Sequence, residues 1–234
     1  MRFTDVLIRL LLLVPAIAVA IPVHEMGHAA VAYLLGDRSV RYFGHFSLDP
    51  RRFLEPIGVL AVAVALVGWG RRVPVQSNRI TTTGQKVLVE LGGPAANLAV
   101  AIVLGFLFQA LLRAGVPASY DLGPGLLLAA LYVIVFLNLS ILAFQLLPIP
   151  GLDGWNIIEI LFRRRNPRFF FDVSVRRREI WAGCVIVLFA FQFLGRVNIL
   201  WYVMAPFYEP ASLISLRTCD GYATGLSALF PCLV

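Results

Sequence analysis

A chain of 234 residues that is 59% hydrophobic and only 14% charged, with a mean hydropathy of +0.83, lies outside the range of water-soluble domains. It describes an integral membrane protein. The basic excess, 20 Lys and Arg against 13 Asp and Glu, is arginine apart from Lys86 and clusters between apolar runs, so it reads as topology information and not as a nucleic-acid surface.

In chain order, Arg2, Arg9, the run 10–20 and Ala18-Val19-Ala20 imitate a secretory signal. Apolar character nevertheless continues to residue 35. Residues 6–35 therefore read as one helix of spanning length, ended by Gly36-Asp37, with Pro22 a candidate kink. Residues 38–47 alternate β-branched and aromatic side chains with polar ones and predict a short β-hairpin. The apolar run 57–69 is too short to span and predicts a re-entrant or interfacial segment. Arg38, Arg41, Arg51 and Arg52 precede it and Arg71, Arg72, Arg79 and Lys86 follow, which puts both its ends on the cytoplasmic side.

Runs 87–112 and 126–147 are each long enough to span. The arginine-rich stretch 163–178 is then a cytoplasmic loop, so the second of these runs inward, the first outward, and the N-terminal helix inward. Residues 180–194 and 197–206 predict one further span or a pair. The expected architecture is an all-α polytopic membrane protein of about five to six membrane segments, one of them re-entrant or short, with a small β-hairpin after the first helix. It is expected to form a single domain over residues 1–234, with a catalytic core over about 6–162 and C-terminal membrane segments over about 179–234. Cys184, Cys219 and Cys232 have neither zinc-site spacing nor disulfide-scaffold density, although a Cys219–Cys232 bridge would form if the tail faced an oxidising compartment.

"VHEMGHAAV", residues 23–31, places ionisable groups at the inner end of an apolar helix, where each needs a partner. His24 and His28 are four residues apart and share one helix face, the spacing at which two imidazoles can bind one metal ion. Glu25 is placed to reach a water on that ion. In such an HExxH motif zinc brings the pKa of water to about 7 and the glutamate takes its proton as a carbonyl is attacked. His45 has no partner at ligand spacing and reads as a loop or surface residue.

Two imidazoles and a water leave zinc needing a third protein ligand at similar depth. Asp153, in "LLPIPGLDGWN" (146–156), lies just past the inner end of an inward helix. Pro148 and Pro150 end that helix and extend the chain, and Gly151 and Gly154 permit close backbone approach. On local sequence alone, Asp153 could equally be a turn residue or the N-cap of a helix over 155–162.

With these residues in hand, the chain resembles the site-2 protease family of intramembrane zinc metalloproteases, over most of residues 15–162. The resemblance is carried by "HEMGHAAVAYLLGD" (24–37), "EPIG" (55–58), "GWGRRVPV" (68–75), "GGPAANLAVA" (92–101) and "FQLLPIPGLDG" (144–154). It is closest to the compact branch, without a PDZ or CBS domain. It implies one zinc ion per chain bound by His24, His28 and Asp153, with Glu25 as the catalytic base. It also implies cleavage of peptide bonds within or beside transmembrane segments of anchored proteins. Gln145 stands where the family commonly has Asn, and it is retained with Asn97 as a candidate substrate or oxyanion contact. Phe53 and Glu55 stand where compact relatives often carry His and Asp, so no role is carried over to them.

The expected partners are a transmembrane protein substrate and the lipid bilayer, with no nucleic acid; the substrate would be unwound and held as an added strand along the 38–47 hairpin. Localisation to a bacterial inner membrane is expected, with the active site near the cytoplasmic side. Two rivals remain: a catalytically silent membrane scaffold, against which an intact Glu25 argues, and a metal transporter, which would line a through-path with polar residues that these apolar spans lack.

Overall fold

The computed structural model describes residues 3–47, 49–75, 78–116, 124–194 and 199–216. Among them the chain forms α1 (Phe3–Leu34), α2 (Ser39–Tyr42), a 3₁₀ turn (Pro50–Arg52), α3 (Pro56–Ala65), α4 (Thr83–Arg113) and α5 (Pro124–Gln145). These are followed by α6 (Asp153–Phe162), α7 (Pro167–Val175), α8 (Arg177–Leu194) and α9 (Ile199–Ser215).

Among the described residues three helices are long and apolar enough to cross a membrane: Leu10–Leu34 within α1, Thr83–Arg113, and Gly125–Gln145 within α5. They pack on one another in every pairing. α5 is the central element, with Leu128, Val133, Val135, Phe136, Leu137 and Leu139 fully buried. α1 and α4 turn Leu10, Leu11, Val14, Val103 and Phe106 outward, as side chains facing lipid would be. Apolar burial drives little association where the solvent is itself hydrocarbon, and close packing of small residues does more. α1 and α4 meet in that way, because a Cβ on Gly27 would strike the Gly92 carbonyl and the Ala96 methyl.

Local sequence explains the helix ends. α1 stops at Gly36, whose φ of +103° suits a residue without a Cβ, and the Asp37 amide reaches back to the Ala32 carbonyl at 3.0 Å. α4 starts at a capping box, with Gln85 N–H on Thr82 Oγ1 and Thr82 N–H on Gln85 Oε1, both 3.2 Å. α3 starts at Pro56 behind Glu55, whose carboxylate accepts the Gly58 amide at 2.6 Å. Glu55 therefore acts as a helix cap, and Phe53 is a buried core residue at 1% exposure.

Two expectations are corrected. Residues 38–47 contain no strand; they form α2, a turn at Gly44 and an irregular continuation. The Asp37 carboxylate accepts the Ser39 amide at 3.0 Å and opens a helical turn, and Val40 buries itself beside Ala29, Ala32, Ile80 and Val89. Ten residues of weak alternation make at best a marginal isolated hairpin, which cannot outweigh those contacts. A substrate therefore finds no hairpin edge there. Among all the described residues there is no β-strand, only isolated bridges.

The count of about five to six membrane segments falls to three among the described residues. α8 opens on Arg177, Arg178 and Glu179, and α9, at 17 residues, covers about 26 Å against a hydrocarbon core of about 30 Å. α3 is only ten residues long. Its flanks are tied together, since Leu54 bridges Gly70 and the Arg71 amide donates to the Phe53 carbonyl at 2.8 Å. The segment thus returns to where it began. Cys184 is a free thiol, and Cys219 and Cys232 lie outside the described residues.

Candidate metal centre

His24, Glu25 and His28 lie near the end of α1, all buried, at 2%, 2% and 8% exposure. Asp153 is the first residue of α6, 2% exposed. The proline-interrupted turn after α5 carries it there. Gly151 takes φ +119°, with Trp181 packed against it, so a side chain at this position would be both strained and obstructed. Leu152, not Asp153, occupies the N-cap of α6, and the Asp153 carboxylate points at the histidines.

Asp153 Oδ2 is 3.0 Å from His24 Nε2 and 3.2 Å from His28 Nε2, and the two Nε2 atoms are 3.2 Å apart. The other ring nitrogens decide what those atoms carry. His28 Nδ1 lies 2.7 Å from the Val89 carbonyl, which can only accept, so Nδ1 holds the proton. His24 Nδ1 lies 2.9 Å from Asn97 Oδ1. That amide orientation is forced, because Asn97 Nδ2 donates to the Ala20 carbonyl at 3.1 Å and to Asn138 Oδ1 at 2.9 Å. Asn138 Nδ2 in turn donates to the Ile134 carbonyl at 2.7 Å. In neutral rings both Nε2 atoms would then present lone pairs to each other and to a carboxylate oxygen.

Three electron-rich atoms converging in a buried site repel one another unless a cation lies among them. Ligands at 2.0–2.1 Å around a tetrahedral zinc are separated by about 3.3 Å, close to the spacing seen here. Two imidazoles and one carboxylate form a donor set that zinc takes at open catalytic sites, and among the described residues this is the one His, Cys, Asp or Glu cluster able to hold a metal. The residues fit a divalent ion. Gly93 makes room for it, since a Cβ there would run into His28 Nε2 and approach His24 Nε2 to 2.8 Å.

Glu25 Oε2 has no hydrogen-bond partner among the described residues, although it is buried beside the cluster. It lines a cavity of about 480 Å³ together with His24, His28, Asp153, Gln145 and Trp69. Gln145, 4% exposed, is thus brought to the same cavity as the histidines. Asn97 has a different position, fully buried and bonded to His24, Asn138 and the α1 backbone. His45 is outside the cluster, between the Phe43 and Phe53 rings, and burial followed by the nearby Arg52 charge lowers its pKa.

The sequence marks Arg72 as a topology charge within the family-like stretch "GWGRRVPV" without a role at the site, and gives Asn138 and Glu90 no role. Arg72 Nη2 donates to Asp153 Oδ1 at 2.8 Å, and Glu90 Oε2 accepts from Asn156 at 2.7 Å. A lone acid within the apolar run 87–112 was the available signal for Glu90.

Fold and site together describe a helical membrane protein in which a spanning helix and the start of α6 bring together residues fit to hold a metal ion. Neither a protein-family model nor a solved structure matches the chain. Among curated proteins, "Putative zinc metalloprotease YwhC" of Bacillus subtilis is 35% identical over 153 residues, 64% of this chain and 68% of YwhC. Rip2 of Mycobacterium tuberculosis, which carries the same class name, is 34% identical over 155 residues, 64% of this chain and 57% of Rip2. Rip2 of Mycolicibacterium smegmatis is 34% identical over 142 residues, covering 58% of this chain and 51% of that protein. The match thus spans little more than half the length of the Rip2 proteins. The chain belongs to the site-2 protease family of membrane zinc metalloproteases.

Proposed function

We propose that this protein is an intramembrane zinc endopeptidase that hydrolyses peptide bonds within or next to the transmembrane segments of anchored proteins. The observation that carries the reading is the convergence of His24 Nε2, His28 Nε2 and Asp153 Oδ2 within 3.2 Å beside a buried, unpartnered Glu25 carboxylate oxygen. His24, His28 and Asp153 would hold one zinc ion, which when bound supplies a Lewis acid and acidifies water.

The chain's own residues do the rest. Glu25 takes the proton of the attacking water and returns it to the departing amine, and its burial leaves no competing donor for the free oxygen. Gln145 lines the cavity with an amide able to donate to a substrate carbonyl. Trp69 and Trp181, edge to face at 4.9 Å, form an apolar part of the wall. A peptide bond inside a helix is shielded and already hydrogen-bonded, so segments carrying helix-breaking residues should be cut preferentially.

We place the protein in a bacterial cell membrane with the site towards the cytoplasm. In support, the relatives are bacterial, and Arg72, Arg177 and Arg178 line the same cavity as the histidines, which sets the site on the arginine-rich face. The test is Glu25→Gln in detergent-purified protein, with zinc measured by mass spectrometry. Cleavage is followed on a reporter anchored by one proline-containing transmembrane segment. Zinc should stay near one per chain while cleavage falls by at least about a thousandfold; a variant that still cleaves would sink the mechanism.

A further inference from the structure

Asp153 has two carboxylate oxygens, and something must decide which one faces the histidines. Oδ2 is 3.0 Å from His24 Nε2, whereas Oδ1 accepts from Arg72 Nη2 at 2.8 Å. Arg72 comes from the irregular stretch after α3, and its reach to α6 joins two segments far apart in sequence. Nη2 also lies 3.3 Å from the Gly151 carbonyl, so one guanidinium edge grips both the carboxylate and the turn that carries it.

The guanidinium is itself held. Arg72 Nη1 is 3.7 Å from Glu90 Oε2 on α4, the Glu90 oxygen accepts from Asn156 Nδ2 at 2.7 Å, and Asn156 Oδ1 accepts from Arg177 Nη2 at 2.8 Å. Four elements therefore converge on the orientation of one carboxylate.

We propose that Arg72 is a positioning residue for the metal centre: by occupying Asp153 Oδ1 and the Gly151 carbonyl, it commits Asp153 Oδ2 to the histidine pair. This rests on the zinc reading above. A planar fork suits the task, because it can hold the carboxylate and the turn carbonyl on one side and Glu90 on the other, where a lysine ammonium offers a single compact head. Without it, the carboxylate is free to rotate and the turn loses its tether to α4.

Charge and positioning make opposite forecasts. A guanidinium near a divalent cation repels it, so if only charge mattered, neutralising Arg72 would tighten zinc binding. The Arg72 side chain is 45% exposed and paired with Glu90, so water and that carboxylate weaken the repulsion. Orientation then dominates, and the groups that orient metal ligands commonly contribute about 10- to 100-fold to metal affinity.

The experiment is zinc affinity by chelator competition on the full-length protein in detergent, for wild type, Arg72→Gln, Arg72→Lys and Arg71→Gln. Affinity is expected to fall about 10- to 100-fold in Arg72→Gln. Arg72→Lys should recover little of that loss, and Arg71→Gln, at an exposed neighbour, should match wild type. Cobalt(II) substitution adds a readout that folding alone would not move: the visible ligand-field bands should shift in both Arg72 variants at unchanged helix content. Should Arg72→Gln fail to fold, Arg72→Lys, which keeps the stem and the charge, decides through the same bands. Unchanged or tighter zinc binding with an unchanged cobalt spectrum overturns the proposal while the zinc reading stands. A wild type that binds no zinc overturns both.

Discussion

His24 and Asn97 are joined by a 2.9 Å hydrogen bond in which Nδ1 donates and the amide oxygen accepts, and this sets which ring nitrogen of His24 is left for a metal. Both partners are buried, and the amide cannot flip without facing its oxygen towards the Ala20 carbonyl. Asn97→Ala should therefore weaken zinc binding about tenfold or more, because an unpartnered ring can rotate or change tautomer. Asn138→Ala, one bond further out, should cost less. Chelator competition on both variants beside wild type orders the two effects, and equal affinities would contradict the chain of bonds.

Gly93→Ala tests the floor of the site. The added methyl would overlap His28 Nε2 and crowd His24, whereas alanine suits the helix itself. Expected are an intact helical circular dichroism spectrum, bound zinc well below one per chain and no cleavage.

Gly27→Val tests the crossing of α1 with α4. Its side chain would meet the Gly92 carbonyl, so the two helices must separate, at a cost of about 1–3 kcal/mol or more. A lower thermal midpoint in detergent, with zinc affinity falling alongside it, is the expected result.

Metal removal should lower stability as well as activity. Stripping zinc with 1,10-phenanthroline leaves Nε2, Nε2 and Oδ2 facing one another within 3.2 Å, and the folded state also loses its ligand. The thermal midpoint should fall on chelation and recover when zinc, but not magnesium, is returned, since magnesium prefers oxygen ligands.

Legibility in the sequence followed the range of the interactions. His24, Glu25 and His28 stand within five residues on one helix, where spacing alone puts the two rings on one face. Asp153 needed two further steps, a depth argument and the likeness of "GLDG" to a known family, because nothing local separates it from a turn aspartate. Arg72 lies in the family-like stretch "GWGRRVPV", but its role could not be read there: its partners are Glu90, Gly151 and Asp153, and an arginine beside an apolar run looks like any other topology charge. The hairpin at 38–47 failed for a related reason. Alternation shows which side chains could face one way, but a ten-residue hairpin on its own is marginal, and the Ser39 amide bonded to Asp37 with a buried Val40 favours the helical turn. Of the expected segments, three are spanning helices among the described residues; α8, which opens on Arg177, Arg178 and Glu179, is not apolar enough over its length to join them.

The backbone contact between Gly27 and Gly92 lies within one helical turn of His24 and His28. Helices have least room to shift where they pack most closely, so a bilayer that thickens or thins should displace the far ends of α1 and α4 more than what lies at the crossing. The histidines, the Val89 carbonyl and Gly93 all sit near that crossing. The spacing of the two histidines should then depend less on membrane composition than the outer halves of both helices do.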